Sequence, residues 1–132
     1  MSLEGTRAAM TRYIDSGHTD LSMMADDVVF TTMATGEQHH GPEAIARMLR
    51  YIYHEAFDAH LEGASTIFTD GKAVLEAEFV GRHIGEFAGV PATNRDVRVP
   101  LCVVYDLEHD RIRRGRVYLE IPAMLKQLGV KG

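Results

Sequence analysis

The sequence predicts an α+β fold in which a curved antiparallel sheet wraps around helices to form a cone with one deep pocket. Apolar residues up to about Phe57 recur at helical spacings, whereas from Ala59 onward they alternate with period two. The order is helices, a strand, a helix, then a meander of four long strands; such runs indicate α+β and not alternating α/β. Gly63, Gly81 and Gly85 fall inside strand-like stretches, where glycine marks a bend or bulge. A long sheet with one apolar face must curl, and a curled sheet capped by helices leaves a cavity with one mouth.

The elements follow in order. Leu3 to Asp15 reads as a helix that Ser16-Gly17-His18 interrupts, with a short second helix around Leu21, Met23 and Met24. Asp26 to Met33 is rich in β-branched residues and reads as a strand; Thr35 to Gly41 reads as loop. Pro42 suits the first position of the next helix, because its missing N–H costs nothing there, and Glu43 complements the positive helix end. Ile45, Met48, Leu49, Ile52, Tyr53 and Phe57 then make one apolar helix face. His60 to Thr69, Lys72 to Phe87, Asp96 to Leu107 and Arg111 to Ile121 read as strands, with Asp70-Gly71 as a hairpin turn. Pro122 stops the sheet, and Ala123 to Gly129 closes the chain as a helix.

At 132 residues the chain is one domain, 1–132, able to bury roughly two-thirds of its unfolded surface. A net charge of −5, with the only basic cluster at Arg111 to Arg116, argues against nucleic acid as a partner. No apolar run reaches the ~20 residues of a membrane span, so no membrane partner is expected. Cys102 is the only cysteine; it fits a reducing, cytoplasmic setting and, between Leu101 and Val103, reads as a buried inert thiol. No dinucleotide, Walker or nucleophile-elbow fingerprint occurs, so no cofactor is expected, and any chemistry is proton transfer on a bound small molecule. His39 and His40 are adjacent and would point to opposite sides of an extended segment, so no metal site is expected.

Strand alternation sorts the remaining candidates. Arg116, Tyr118 and Glu120 share one face of the last strand and Val117, Leu119 and Ile121 the other. The polar face either meets solvent or lines a polar pocket. Glu120 reads either as a solvated carboxylate or helix cap, or as a pocket acid tuned by burial and by Tyr118 or Arg116. Met33, Tyr53, Phe57 and Phe79 would supply a pliable apolar lining. Val97, Val99, Leu101 and Val103 on one side, with Cys102 and Val104 on the other, give the sheet two apolar faces; the second is expected to pair two copies as a homodimer.

The run Gly81-Arg82-His83-Ile84-Gly85-Glu86-Phe87-Ala88-Gly89-Val90-Pro91-Ala92-Thr93-Asn94-Arg95-Asp96-Val97, followed by Tyr118-Leu119-Glu120 and Gln127-Leu128-Gly129, resembles the SnoaL-like polyketide cyclases. That resemblance implies the cone-shaped, cystatin-like α+β barrel shared with ketosteroid isomerases, scytalone dehydratase and limonene epoxide hydrolase, and a small hydrophobic, oxygenated ligand. It implies a cofactor-free cyclase or isomerase in which Glu120, standing where the family commonly has Asp, transfers a proton beside a carbonyl. His83 matches the histidine of the family's G-T-H-x-G stretch, with Arg82 in place of threonine. It would orient the ligand with Tyr118 and Arg116, or hold the following loop through a backbone contact. Asn94 replaces a common glycine and tolerates the same left-handed backbone. The competing reading is a non-catalytic binding or assembly module of the same fold.

Overall fold

Six strands form a single sheet in the spatial order Glu37–His40 (β2), Met24–Thr32 (β1), Arg111–Leu119 (β6), Asp96–Glu108 (β5), Lys72–His83 (β4), Phe57–Thr69 (β3), and the element sequence explains its shape. The structure, a computed structural model, describes residues 2–130. Helix α1 (Leu3–Asp15) starts where the Ser2 side chain accepts the Gly5 N–H at 2.9 Å, satisfying one of the orphan donors of the first turn. Thr6, Ala9, Met10 and Tyr13 recur on its buried face. It stops at Gly17 and His18, both left-handed (φ 71° and 64°), the usual way to end a helix but uncommon for a residue with a side chain.

A 3₁₀ turn (Leu21–Met23) leads into β1 (Met24–Thr32), which runs antiparallel to a short β2 (Glu37–His40) and parallel to β6 (Arg111–Leu119). The stretch expected to be loop is thus partly strand. Four residues on a sheet edge carry too little β-branched character to signal themselves. Helix α2 (Pro42–Arg50) has Pro42 in its first turn as expected, but its continuation is not α-helical: Tyr51–Ala56 form a wider π-helical turn.

The meander β3 (Phe57–Thr69), β4 (Lys72–His83), β5 (Asp96–Glu108) and β6 is fully antiparallel. Registers shift between Glu62 and Ser65, beside left-handed Gly63, and between Asp106 and Leu107; extra residues at such points bend a strand. The sheet curves but stays open, with β2 and β3 as unjoined edges: it is the cone expected from the sequence, and the barrel that the resemblance implies is not closed. Strand β4 ends at His83, earlier than expected, because the chain then turns back on itself at Phe87 and Val90, whose backbones exchange both hydrogen bonds.

The concave face carries Ala73, Leu75, Ala77, Phe79 and His83 of β4 and Val97, Val99, Leu101, Val103, Tyr105 and Leu107 of β5, all buried. Burying one large apolar side chain contributes about 1.5–3 kcal/mol, so this face and the helices that cover it dominate the fold. The convex face carries charge pairs: Arg98 with Glu62 and Glu78 (3.0 Å each), and Asp106 with Arg116 (2.6 Å) and Lys72 (3.2 Å). Cys102 lies on this convex face opposite Tyr118 and is only half-buried, so the thiol expected in the core is not there; period-two alternation sends it outward. Helix α3 (Ile121–Gln127) closes one end, tied to β5 by Gln127, which accepts the Arg98 N–H and donates to the Arg98 carbonyl. No helix among the described residues is long and apolar enough to cross a membrane.

Candidate functional site

Between the concave sheet and the helices lies a cavity of about 410 Å³, in the range of small-molecule sites. Its wall is mostly hydrocarbon and aromatic: Phe30, Leu75, Phe79, Leu101, Val103 and Leu119 come from the sheet, and Met48, Leu49 and Ile52 from the helix above it. The π-helical turn presents Tyr51, Ile52 and Tyr53 to the cavity as three consecutive residues. Such a wide turn is a frequent signature of a functional site. Gly115 makes room on the facing strand, because the Phe30 ring occupies the place a side chain there would take.

The polar groups of the wall fall into two sets. The first is at the mouth, where Glu37 and His39 alternate on β2 opposite Thr32 and Phe30 of β1. Glu37 Oε1 lies 3.2 Å from His39 Nε2. A carboxylate can only accept, so in any hydrogen bond of this pair the imidazole is the donor. Tyr51 borders the same opening and donates a hydrogen bond to the Glu86 carbonyl, which tethers the loop carrying Phe87 and Ala88 across the rim.

In the second set two residues, Tyr13 and Tyr105, are buried and two, Tyr53 and His18, are half-buried. Tyr13, Tyr53, Tyr105 and His18 line the wall away from the mouth. Burial pushes the Tyr53 phenol up to about 12 and also raises Tyr13 and Tyr105, with repulsion from neighbouring phenols adding to both. Burial also holds His18 below its ordinary value, so its imidazole is favoured neutral. The His18 ring meets Tyr13 edge-on at 5.1 Å.

Of the residues the sequence points to, Tyr53 and Phe79 line this cavity, their rings 5.3 Å apart. Phe57 is buried behind them, edge-on to Phe79 at 5.5 Å. Met33 is 41% exposed and outside the wall. Arg116, Tyr118 and Glu120 are also outside it. Strand parity gives the cavity Val117 and Leu119, and Ile121 after them, and turns the polar residues to the convex side. There Arg116 grips Asp106, which lowers the Asp106 carboxyl, while Tyr118 is 44% exposed. Glu120 is exposed at the start of α3 and forms no capping hydrogen bond.

His83 is fully buried and acts on the loop that follows it. Its Nδ1 accepts the Thr93 N–H at 3.1 Å and lies 3.0 Å from Thr93 Oγ1. The backbone N–H must donate, which places the ring proton on Nε2, an atom with no partner among the described residues. The backbone repeats the clamp: His83 donates to the Arg95 carbonyl and Asn94 donates to the His83 carbonyl, with Asn94 left-handed at φ 58° as its replacement of glycine suggests. The backbone contact that the loop-holding reading of His83 expects is present.

Sequence reasoning passes over His18, Tyr13 and Glu37 as site groups, and weighs His39 only as a metal ligand. The last two sit two apart in Glu37-Gln38-His39-His40, a period-two signal visible only once that segment is taken as strand. Among the described residues no three His, Cys, Asp or Glu side chains gather as metal ligands do.

A family model described as SnoaL-like polyketide cyclase matches residues 7–128. No curated protein matches the sequence. Among solved structures, a candidate polyketide cyclase from Silicibacter sp. TM1040 is similar, with TM-score 0.81 and 23% identity over 100% of this chain and 99% of that one. TsrD from Streptomyces laurentii is similar at TM-score 0.78 and 19% identity, covering 93% of this chain and 96% of its own. A phenazine biosynthesis-related protein from Pseudomonas aeruginosa follows at TM-score 0.76 and 16% identity, covering 98% of this chain and 88% of its own.

Proposed function

The chain belongs to the SnoaL-like polyketide cyclase family, and from that premise we propose that its cavity binds a hydrophobic, oxygenated small molecule and moves a proton next to a carbonyl of that molecule. The observation that carries this reading is the make-up of the wall. It is hydrocarbon interrupted only by imidazoles, phenols, hydroxyls and one carboxylate, the groups proton transfer uses. In this reading the ligand's rings lie against Phe30, Phe79 and Leu101. His39, oriented by Glu37, takes the proton through Nδ1; the resulting enolate attacks a second carbonyl, whose oxygen then takes the proton back from the imidazolium, or the imidazolium returns the proton to a different carbon of the enolate. The first outcome is an aldol-type ring closure and the second an isomerisation.

Proton transfer requires hydrogen-bonding reach between donor and acceptor. In this reading the role that the family resemblance implies for Glu120 and His83 is taken by residues of the wall. The position of Glu120 favours a second reading, a binding module without catalysis, and one experiment separates the two. Ethyl 2-naphthoylacetate, an aryl β-keto ester, is incubated with the protein in D₂O and exchange at its acidic carbon is followed by NMR. Catalysed exchange is expected, slowed about 10²–10⁴-fold in His39→Gln and unchanged in Glu120→Gln. Binding without catalysed exchange supports the module; exchange at the wild-type rate in His39→Gln refutes the assignment of the base.

A further inference from the structure

A second concavity adjoins the cavity, and His18, Leu49, Tyr53 and Leu61 border both spaces. It is a cleft of about 530 Å³, again in the range of small-molecule sites. The turn after α1, the helix face that runs from α2 into the π-helical turn, and the start of β3 enclose it. Ala46, Leu49, Arg50, Tyr53 and His54 recur at three- and four-residue steps, so one helix face supplies all five. Ile14, Leu21, Ala59 and Leu61 complete an apolar floor. The charge of this cleft is unlike that of its surroundings. The chain has a net charge of −5, and Arg12, Arg82, Arg98, Arg113 and Arg116 each grip an acid. The cleft is lined by Arg50, His18, His54 and His60, with no Asp or Glu among its lining residues. His60 is held by Glu62 at 2.6 Å, but the side chains of Arg50 and His54 have no hydrogen bond or ion pair among the described residues. An unpaired guanidinium over an apolar floor is open to an anion.

We propose that this cleft is a second binding site, separate from the cavity, for a small carboxylate with a compact apolar body. The body lies on Ile14, Leu21, Leu49 and Leu61, and the carboxylate pairs with Arg50 beside His54. The class of head group follows from the lining. A guanidinium offers two parallel N–H donors that match the two oxygens of a carboxylate, and hydrogen bonds between ionised partners are about twice as strong as neutral ones. A phosphate dianion would bring a second charge that no further Lys or Arg of the lining balances. The same carboxylate is disfavoured in the cavity, whose wall holds Glu37 and no Lys or Arg, because there it would leave water without a partner. The two spaces thus sort ligands by charge, neutral molecules to the one and acids to the other. The inference stands apart from any catalysis in the cavity.

The test uses two nearly isosteric probes, 2-naphthoate and 2-naphthamide, which differ in charge. Calorimetry on the wild-type protein at low salt is expected to show the carboxylate bound about tenfold more tightly, with the gap narrowing as salt is added. Arg50→Gln should close the gap and leave the amide affinity unchanged, while Arg50→Lys, which keeps the charge but not the paired donors, should restore only part of it. Arg50 is exposed and glutamine is a good helix former, so the melting temperature of Arg50→Gln should equal that of the wild type. In histidine-ring NMR spectra 2-naphthoate should shift His54 and leave His39, at the cavity mouth, in place. A saturating amount of 2-isopropylnaphthalene, a hydrocarbon suited to the cavity, should not displace it. Equal wild-type affinity for the two probes, no binding of either, or an Arg50→Gln variant that keeps the preference overturns the inference. Displacement by the hydrocarbon together with a shift at His39 puts the naphthoate in the cavity, which overturns the inference and leaves the cavity reading standing.

Discussion

Gly115 is the position where a single methyl group should report on the cavity. It lies on the concave face of β6, with Phe30 of β1 as its neighbour in register. A Cβ built there would stand 2.7 Å from Cδ1 and Cε1 of Phe30 and 3.0 Å from Cζ. Carbon atoms in contact prefer about 3.5–4.0 Å, so the ring must withdraw by about an ångström. It has Tyr105 edge-on at 6.1 Å on one side and the cavity on the other, so it yields into the cavity. Overpacking of this kind costs about 1–3 kcal/mol, and replacing a glycine inside a strand returns about 0.5–1 kcal/mol of it. Gly115→Ala should therefore destabilise the protein by about 1–2 kcal/mol. With an unfolding entropy of about 2.1 cal/mol/K per residue over 132 residues, that is a melting temperature lower by about 4–7 °C. Thermal melting and urea unfolding measure the loss, and the affinity for 2-isopropylnaphthalene should fall with it. Adding Phe30→Leu removes the obstructing ring, so in that background Gly115→Ala should be neutral or stabilising, with a coupling of about 1 kcal/mol or more. An unchanged melting temperature with unchanged affinity, or an equal loss in both backgrounds, would refute the reasoning.

Two further outcomes are expected. Burial holds His18 below its ordinary value of 6.5, so as the pH falls the unfolded chain takes up this proton first. The contribution of His18 is therefore complete above about pH 6.5 and is lost below it; urea titrations across pH 5–8 should show a downward slope that His18→Gln flattens, and equal slopes would refute this. Two copies pairing through the convex sheet face would cover the half-buried Cys102 beside Tyr118. Sedimentation is expected to show a dimer, with thiol labelling of Cys102 slowing as protein concentration rises; a monomer throughout the micromolar range with labelling at a constant rate would overturn it.

What the sequence by itself determined is the part governed by local periodicity. Alternation along β4 and β5 already sorts Phe79, Leu101 and Tyr105 to one face and Glu78, Cys102 and Asp106 to the other. Proline and glycine mark the start of α2 and the β3–β4 turn. The Gly81 to Val97 motif carries the family, and Asn94 its left-handed loop geometry. Periodicity assigns residues to opposite faces but does not say which face is enclosed. The choice between Val117 with Leu119 and Tyr118 with Glu120 was made only when the sheet curled, because curling encloses the apolar face and turns the charged one outward. Short edge strands are equally silent in sequence, so Glu37 and His39 became a pair at the mouth only through pairing of β2 with β1. Residues as distant as Tyr13, Tyr53 and Tyr105 share no local pattern at all. Their meeting is a product of helix α1, the π-helical turn and β5 packing around one space, and only the tertiary structure decides it.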